Sequence, residues 1–209
     1  EVENMYLLSR VLDTIEDSSF DIEKKKSLMK VFFRTLDNGK DVDNFVQELQ
    51  EGAIDDHDKI LGVKENYKLI LDTFYLLDKP IREVSIKLLL EMSSGMQKYL
   101  ENEIKQFADL DDYCYYVAGV IGIYMTKLVE LKDGIQLDQK QAINLGRYLQ
   151  KVNIIKNFHK DHQEGRSFWP SSLFNNDRES IVNGENKDKA LLILKKMIKN
   201  AMKESEAAF

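Results

Sequence analysis

Asp13-Thr14-Ile15-Glu16-Asp17 carries three carboxylates at positions 13, 16 and 17. On a helix these positions share one face, because three to four residues complete a turn. Carboxylates so placed repel one another unless a cation lies among them. Magnesium prefers oxygen ligands and commonly binds through one or two carboxylates plus the phosphates of a substrate. Arg10 lies on the same side, placed to pair with Asp13 or to contact a phosphate.

A second set lies farther along. Gln150, Asn153, Asn157, Asp161 and Glu164 follow helical steps and form a polar stripe of amides and carboxylates. Lys151, Lys156 and Lys160 fall elsewhere round the wheel, so the stripe reads as free of lysine. Such an oxygen-rich face suits a metal or phosphate site, and an amide oxygen ligates without adding charge. A third stretch, Asp112 to Gly122, combines Tyr113, Tyr115 and Tyr116 with the small residues Ala118, Gly119 and Gly122. Glycines cost a helix about 1 kcal/mol each, so they signal close helix contact or room for a ligand. A fourth, Glu164 to Pro170, ends a helix and places Arg166 at the rim of a pocket. Each has a plainer reading as well: a solvated helix end, an outer face, a close-packed core, and a helix stop with an aromatic plug.

The elements that must position these residues are helical. Apolar residues recur at spacings of three and four, as in Met5, Leu8, Leu12 and Ile15. The expected helices run from Val2 to Asp17, Asp21 to Leu36, Asp41 to Gln50, Asp55 to Leu77 and Ile81 to Phe107. Three more follow: Asp109 to Leu131, Asp138 to Glu164 and Lys187 to Ala208. The Asp109 helix looks apolar nearly all round and is expected at the centre of a bundle. Ser171 to Asn186 reads as a loop with a short helical piece. Only two prolines and ten glycines in 209 residues argue against an all-β class. A net charge of -6 argues against a general nucleic-acid binder. One cysteine, Cys114, excludes a disulfide framework. The longest uncharged stretch is shorter than the ~20 apolar residues of a spanning helix, and no P-loop, HExxH, GxSxG or dinucleotide fingerprint occurs.

In order and spacing, three segments resemble the squalene/phytoene synthase family, and most closely its squalene-synthase branch: LLSRVLDTIED, DYCYYVAGVIG and LQKVNIIKNFHKDHQEGRSFWP. The resemblance covers most of the chain and implies an all-α, isoprenoid-synthase-type helical bundle around a central cavity. It implies one domain over residues 1–209, shortened at both ends relative to the family. The implied activity is a magnesium-dependent, head-to-head condensation of two farnesyl diphosphates, through a cyclopropyl diphosphate, to squalene with NADPH or to dehydrosqualene without it. A terpene synthase using one prenyl diphosphate and a non-catalytic assembly or lipid-binding member are the alternatives.

Carried onto this chain, the resemblance gives Asp13, Glu16 and Asp17 as the first metal-binding motif, facing a second at Asn157 and Asp161. Arg10, Gln150, Asn153 and Arg166 become substrate contacts, and Tyr113 the proton-transfer residue, with Asp13 and Asp17 also catalytic. The second motif departs from the family pattern. Asn157 stands for an aspartate and Lys160 for a glutamate, so metal binding is weaker, the reaction is altered, or catalysis is lost. The implied setting is cytoplasmic with a peripheral membrane contact, as a monomer or weak dimer, without nucleic acid.

Overall fold

The computed structural model describes residues 1–53, 56–175 and 177–209, and among them every regular element is helical. The chain divides into two compact units, Glu1–Ser93 and Ser94–Phe209.

In the first unit, α1 (Val2–Asp17) buries Met5, Leu8, Leu12 and Ile15 along the stripe their spacing dictates. It ends at Ser18, whose hydroxyl donates to the Ile15 carbonyl at 2.8 Å. Asp21 then caps α2 (Ile22–Asn38) by accepting from the Lys24 N–H. Gly39 closes α2 in the left-handed region, φ 66°, which glycine adopts at no steric cost. After α3 (Val42–Gly52), the single helix expected from Asp55 is two, α4 (Asp56–Leu61) and α5 (Lys64–Leu76). The start expected at Asp55 lies outside the described residues. The break falls at Gly62, where an added Cβ would stand 2.8 Å from the Gln50 backbone nitrogen. Close approach to α3 therefore turns the chain before the periodic pattern runs out. Phe32, Phe45 and Tyr67 stack at the centre of this unit, with ring centroids 6.2 and 5.0 Å apart. The Tyr67 hydroxyl, held protonated by burial, shares a 2.5 Å hydrogen bond with Thr35. Burying each such ring contributes roughly 1.5–3 kcal/mol.

Helix α6 (Lys79–Glu101) runs through the boundary and stops short of the expected Phe107. Asp109 is the reason. Its carboxylate takes the N–H groups of Lys105 and Gln106 at 3.0 Å each and starts a new helix, α7 (Phe107–Cys114).

A π-helical turn, Tyr115–Gly119, joins α7 to α8 (Val120–Asp133). The combined helix Phe107–Asp133 is long and apolar enough to cross a membrane, yet only 33% of its most apolar window is buried. It is thus more open than the enclosed central helix expected. One side meets α9 (Gln139–Lys156) closely. A Cβ on Gly122 would lie 2.3 Å from the Ala142 carbonyl oxygen, and one on Gly146 would lie 2.4 Å from that of Ala118. The small residues therefore serve helix contact and leave no room there for a ligand.

The expected helix from Asp138 to Glu164 is interrupted at Asn157, which separates α9 from α10 (Phe158–Gln163). The indole N–H of Trp169 takes the Ile154 carbonyl at 3.2 Å, the acceptor that an uninterrupted helix would offer to Phe158. A 3₁₀ turn at Ser171–Leu173 and α11 (Arg178–Val182) lie in the segment expected to be a loop with a short helical piece. The last helix, α12 (Lys187–Ala208), packs along α9, and its Ala207 carbonyl accepts from Asn144 at 3.0 Å.

Candidate functional site

The first acidic group lies wholly in the first unit. Because Leu12 and Ile15 face the core, Asp13, Glu16 and Asp17 fall on the flank of α1 and are half-buried. Arg10 stands one turn back, its Nη1 3.3 Å from Asp13 Oδ2, so the sequence pairing is realised. Lys25 of α2 adds a contact not anticipated from sequence. Its ammonium donates to the Glu16 carbonyl at 2.7 Å, placing positive charge at the carboxyl end of the α1 dipole. Burial lowers the Lys25 pKa, and the Glu16 charge partly offsets this.

The other candidates belong to the second unit. Tyr113 is 3% exposed. Its ring stacks on Phe168 at 5.0 Å and meets Tyr99 edge-on at 5.4 Å. The Tyr99 hydroxyl donates to Asp112 at 2.8 Å, and Lys98 pairs with the same oxygen at 2.7 Å. Tyr99 is thus pinned, and Tyr113 is held between two fixed rings. Burial, then the neighbouring Asp112, push the Tyr99 hydroxyl pKa upward. Gln150 on α9 is half-buried, whereas Asn153 is exposed.

Asp161 and Arg166 come together. Gly165, at φ 73°, reverses the chain after α10, and the Arg166 N–H then donates to the Asp161 carbonyl at 2.8 Å. This carries the guanidinium onto two carboxylates: Nη2 lies 3.4 Å from Asp161 Oδ1 and bonds closely to Glu164 Oε2. Lys160 Nζ lies 3.8 Å from the other Glu164 oxygen. The stripe is therefore not free of lysine, since an i, i+4 side chain reaches it. Asp161 is 8% exposed; burial first and Glu164 second raise its pKa to about 6, with Lys160 opposing. The Arg166 guanidinium also lies over the Phe168 ring, 5.9 Å from its centroid. Phe168 thus connects Arg166 to Tyr113.

Lys151, which falls off the polar stripe, is 1% exposed. Its ammonium pairs with Asp111 at 2.6 Å and Glu204 at 2.8 Å, joining α9 to α7 and α12. No local pattern signals this, because the partners are distant in sequence. Cys114 is fully buried, and burial raises its thiol pKa, which fits an inert core residue.

The two acidic groups differ in their fit to a divalent cation. Among the described residues, no three His, Cys, Asp or Glu side chains are close enough to form a cage. The α1 face still offers three half-exposed carboxylates against the Arg10 guanidinium and the Lys25 ammonium, and substrate phosphate oxygens can complete a magnesium shell. The Asp161 group does not fit. Its two carboxylates are already matched by Arg166 and Lys160, and Asn157 adds no charge.

Comparison with known proteins places the fold and the sequence as a whole. The profile described as squalene/phytoene synthase matches residues 1–209. Squalene synthase of Rattus norvegicus is 32% identical over 205 residues, covering 94% of this chain and 47% of that protein. A protein of Arabidopsis thaliana named inactive squalene synthase 2 is 32% identical over 218 residues, covering 96% of this chain and 49% of its own length. The chain thus spans about half the length of these curated relatives. Among solved structures, TcSQS in complex with the ligand BPH1237 superposes with a TM-score of 0.81 at 27% identity, over 96% of this chain and 59% of that one. With an all-α fold of the isoprenoid-synthase type and a match along its whole length, the chain belongs to the squalene/phytoene synthase family.

Proposed function

We propose that the chain is the squalene-synthase-type transferase portion of a protein that condenses two farnesyl diphosphates head-to-head, through a cyclopropyl diphosphate, to squalene or dehydrosqualene. The observation that carries this reading is the family match over all 209 residues. Asp13, Glu16 and Asp17 would hold magnesium, which when bound supplies charge to stabilise a departing diphosphate. Arg10 is the protein's own contribution to that charge. Tyr113 presents a hydroxyl for proton transfer, on a ring that Phe168 and Tyr99 keep from turning. Its burial excludes water, which would quench an allylic cation to an alcohol. Gln150, Asn153 and Arg166 would line the polar approach. NADPH enters only where squalene, the reduced product, is formed.

Radiolabelled farnesyl diphosphate with magnesium, with and without NADPH, tests the reading directly. A thirty-carbon hydrocarbon is expected, and Asp13→Ala is expected to remove it by a factor of at least ~10². Absence of any magnesium-dependent product from the folded protein would reject the catalytic assignment. A second reading, a family member that binds a prenyl diphosphate without turnover, is favoured by the neutralised Asp161 group and by the relative named inactive. It predicts saturable binding of the diphosphate with no product.

A further inference from the structure

We infer that Arg166, assisted by Lys160, is the resident cation of the Asp161–Glu164 group and takes the place that a divalent metal would fill there. The inference deepens the proposed function by assigning this half of the diphosphate chemistry to a metal-free, guanidinium-based contact.

Four observations converge. The left-handed turn at Gly165 and the Arg166 N–H bond to the Asp161 carbonyl fix the guanidinium against α10 by backbone geometry. Its Nη2 then reaches both Asp161 and Glu164, and Lys160 covers the second Glu164 oxygen. Two carboxylates facing a guanidinium and an ammonium are offset in charge, which weakens the pull on a divalent ion. Asn157, where a third charged oxygen would be needed, is an amide at the break between α9 and α10.

The space also matters. The cleft beside Asp161, bordered by His162, Arg166, Ser167 and Arg178, holds about one water. Magnesium dehydrates reluctantly and keeps several waters, for which this cleft offers little room on its Asp161 side. Arg178 borders the same cleft and donates to Ser167 and to the Trp169 carbonyl, so a second guanidinium stands near the first. Arginine suits the role because its planar fork carries five donors in a fixed geometry that matches carboxylate oxygens and, unlike a divalent ion, needs no ordered waters.

The test counts manganese by electron paramagnetic resonance, without any diphosphate present. Arg166→Gln is expected to raise manganese affinity at least tenfold, and Asp161→Asn in the same background is expected to abolish that gain. Lys160→Gln, at an exposed position that spares the fold, is expected to give a smaller gain of the same kind. Circular dichroism verifies folding of each variant. If neither Arg166→Gln nor Lys160→Gln strengthens manganese binding, the inference is overturned. It is equally overturned if Asp161→Asn alone removes a manganese ion from the unaltered protein. Failure of the proposed function has a different signature, namely no binding of farnesyl thiodiphosphate to the unaltered chain.

Discussion

The Lys151 ammonium stands 2.6 Å from Asp111 Oδ1, inside the fold and 1% exposed. Glu204 approaches the same ammonium from α12 at 2.8 Å. One lysine thus fixes α9 against two helices, and the rotation of α9 about its axis sets which way Gln150 faces. Removing Lys151 leaves the Asp111 and Glu204 carboxylates facing one another without compensation; for fully buried pairs this costs about 3–5 kcal/mol, and their partial exposure here, 34% and 12%, lowers it to roughly 1–3 kcal/mol. Lys151→Met is expected to lower unfolding free energy by that order in a urea titration. Lys151→Met with Glu204→Gln and Asp111→Asn is expected to recover a substantial part. Simple addition of the three single losses would show that the charges act independently.

Asp161 carries a pH dependence of unusual sign. Its folded pKa, about 6, lies above the ~3.9 of an unfolded aspartate. The native state therefore favours the protonated carboxyl. That contribution is complete below about pH 4 and is lost as the pH rises through 6. Asp161→Asn, which mimics the neutral form, is expected to be more stable than the parent at pH 7.5 by roughly 1–2 kcal/mol, and equal to it at pH 4. Denaturation across this range checks the claim, and a variant less stable at pH 7.5 would mean that Arg166 outweighs burial.

The contact of α8 with α9 depends on two glycines. Alanine ordinarily favours a helix over glycine by about 1 kcal/mol. At Gly146 the added methyl would meet a backbone oxygen at 2.4 Å, and backbone cannot step aside as a side-chain tip can. Gly146→Ala is therefore expected to destabilise by about 1–3 kcal/mol. Thermal unfolding of Gly146→Ala and Gly122→Ala measures it, and an unchanged or raised midpoint would refute the packing argument.

Tyr113 separates chemistry from packing. Tyr113→Phe keeps the stack on Phe168 and the edge contact with Tyr99 while removing the hydroxyl. Under the proposed function, turnover is expected to fall by roughly 10²–10⁴. The unfolding free energy is expected to fall by no more than one hydrogen bond, about 1 kcal/mol. Full turnover in the phenylalanine variant would remove Tyr113 from the proton-transfer role.

How far the sequence carries the argument depends on the range of the interaction concerned. The bounds of α1 and α12 were legible to the residue, because a buried stripe and polar ends are local patterns. Arg10 and Asp13 were legible as a pair for the same reason. The stops at Gly62 and Asn157 were not, since each answers to a group elsewhere in the fold: the Gln50 backbone and the Trp169 indole.

The sequence by itself determined the helical class, through composition and periodicity, and the residue types at each acidic group, while the family was legible as a resemblance carried by three segments. Only the tertiary structure decided that Lys151 is interior, that the glycines of α8 and α9 serve contact, and that Asp161 faces a guanidinium. The reason is that burial and charge compensation are properties of neighbours in space. A charged side chain carries no mark of whether water or an opposite charge will solvate it until the chain has folded.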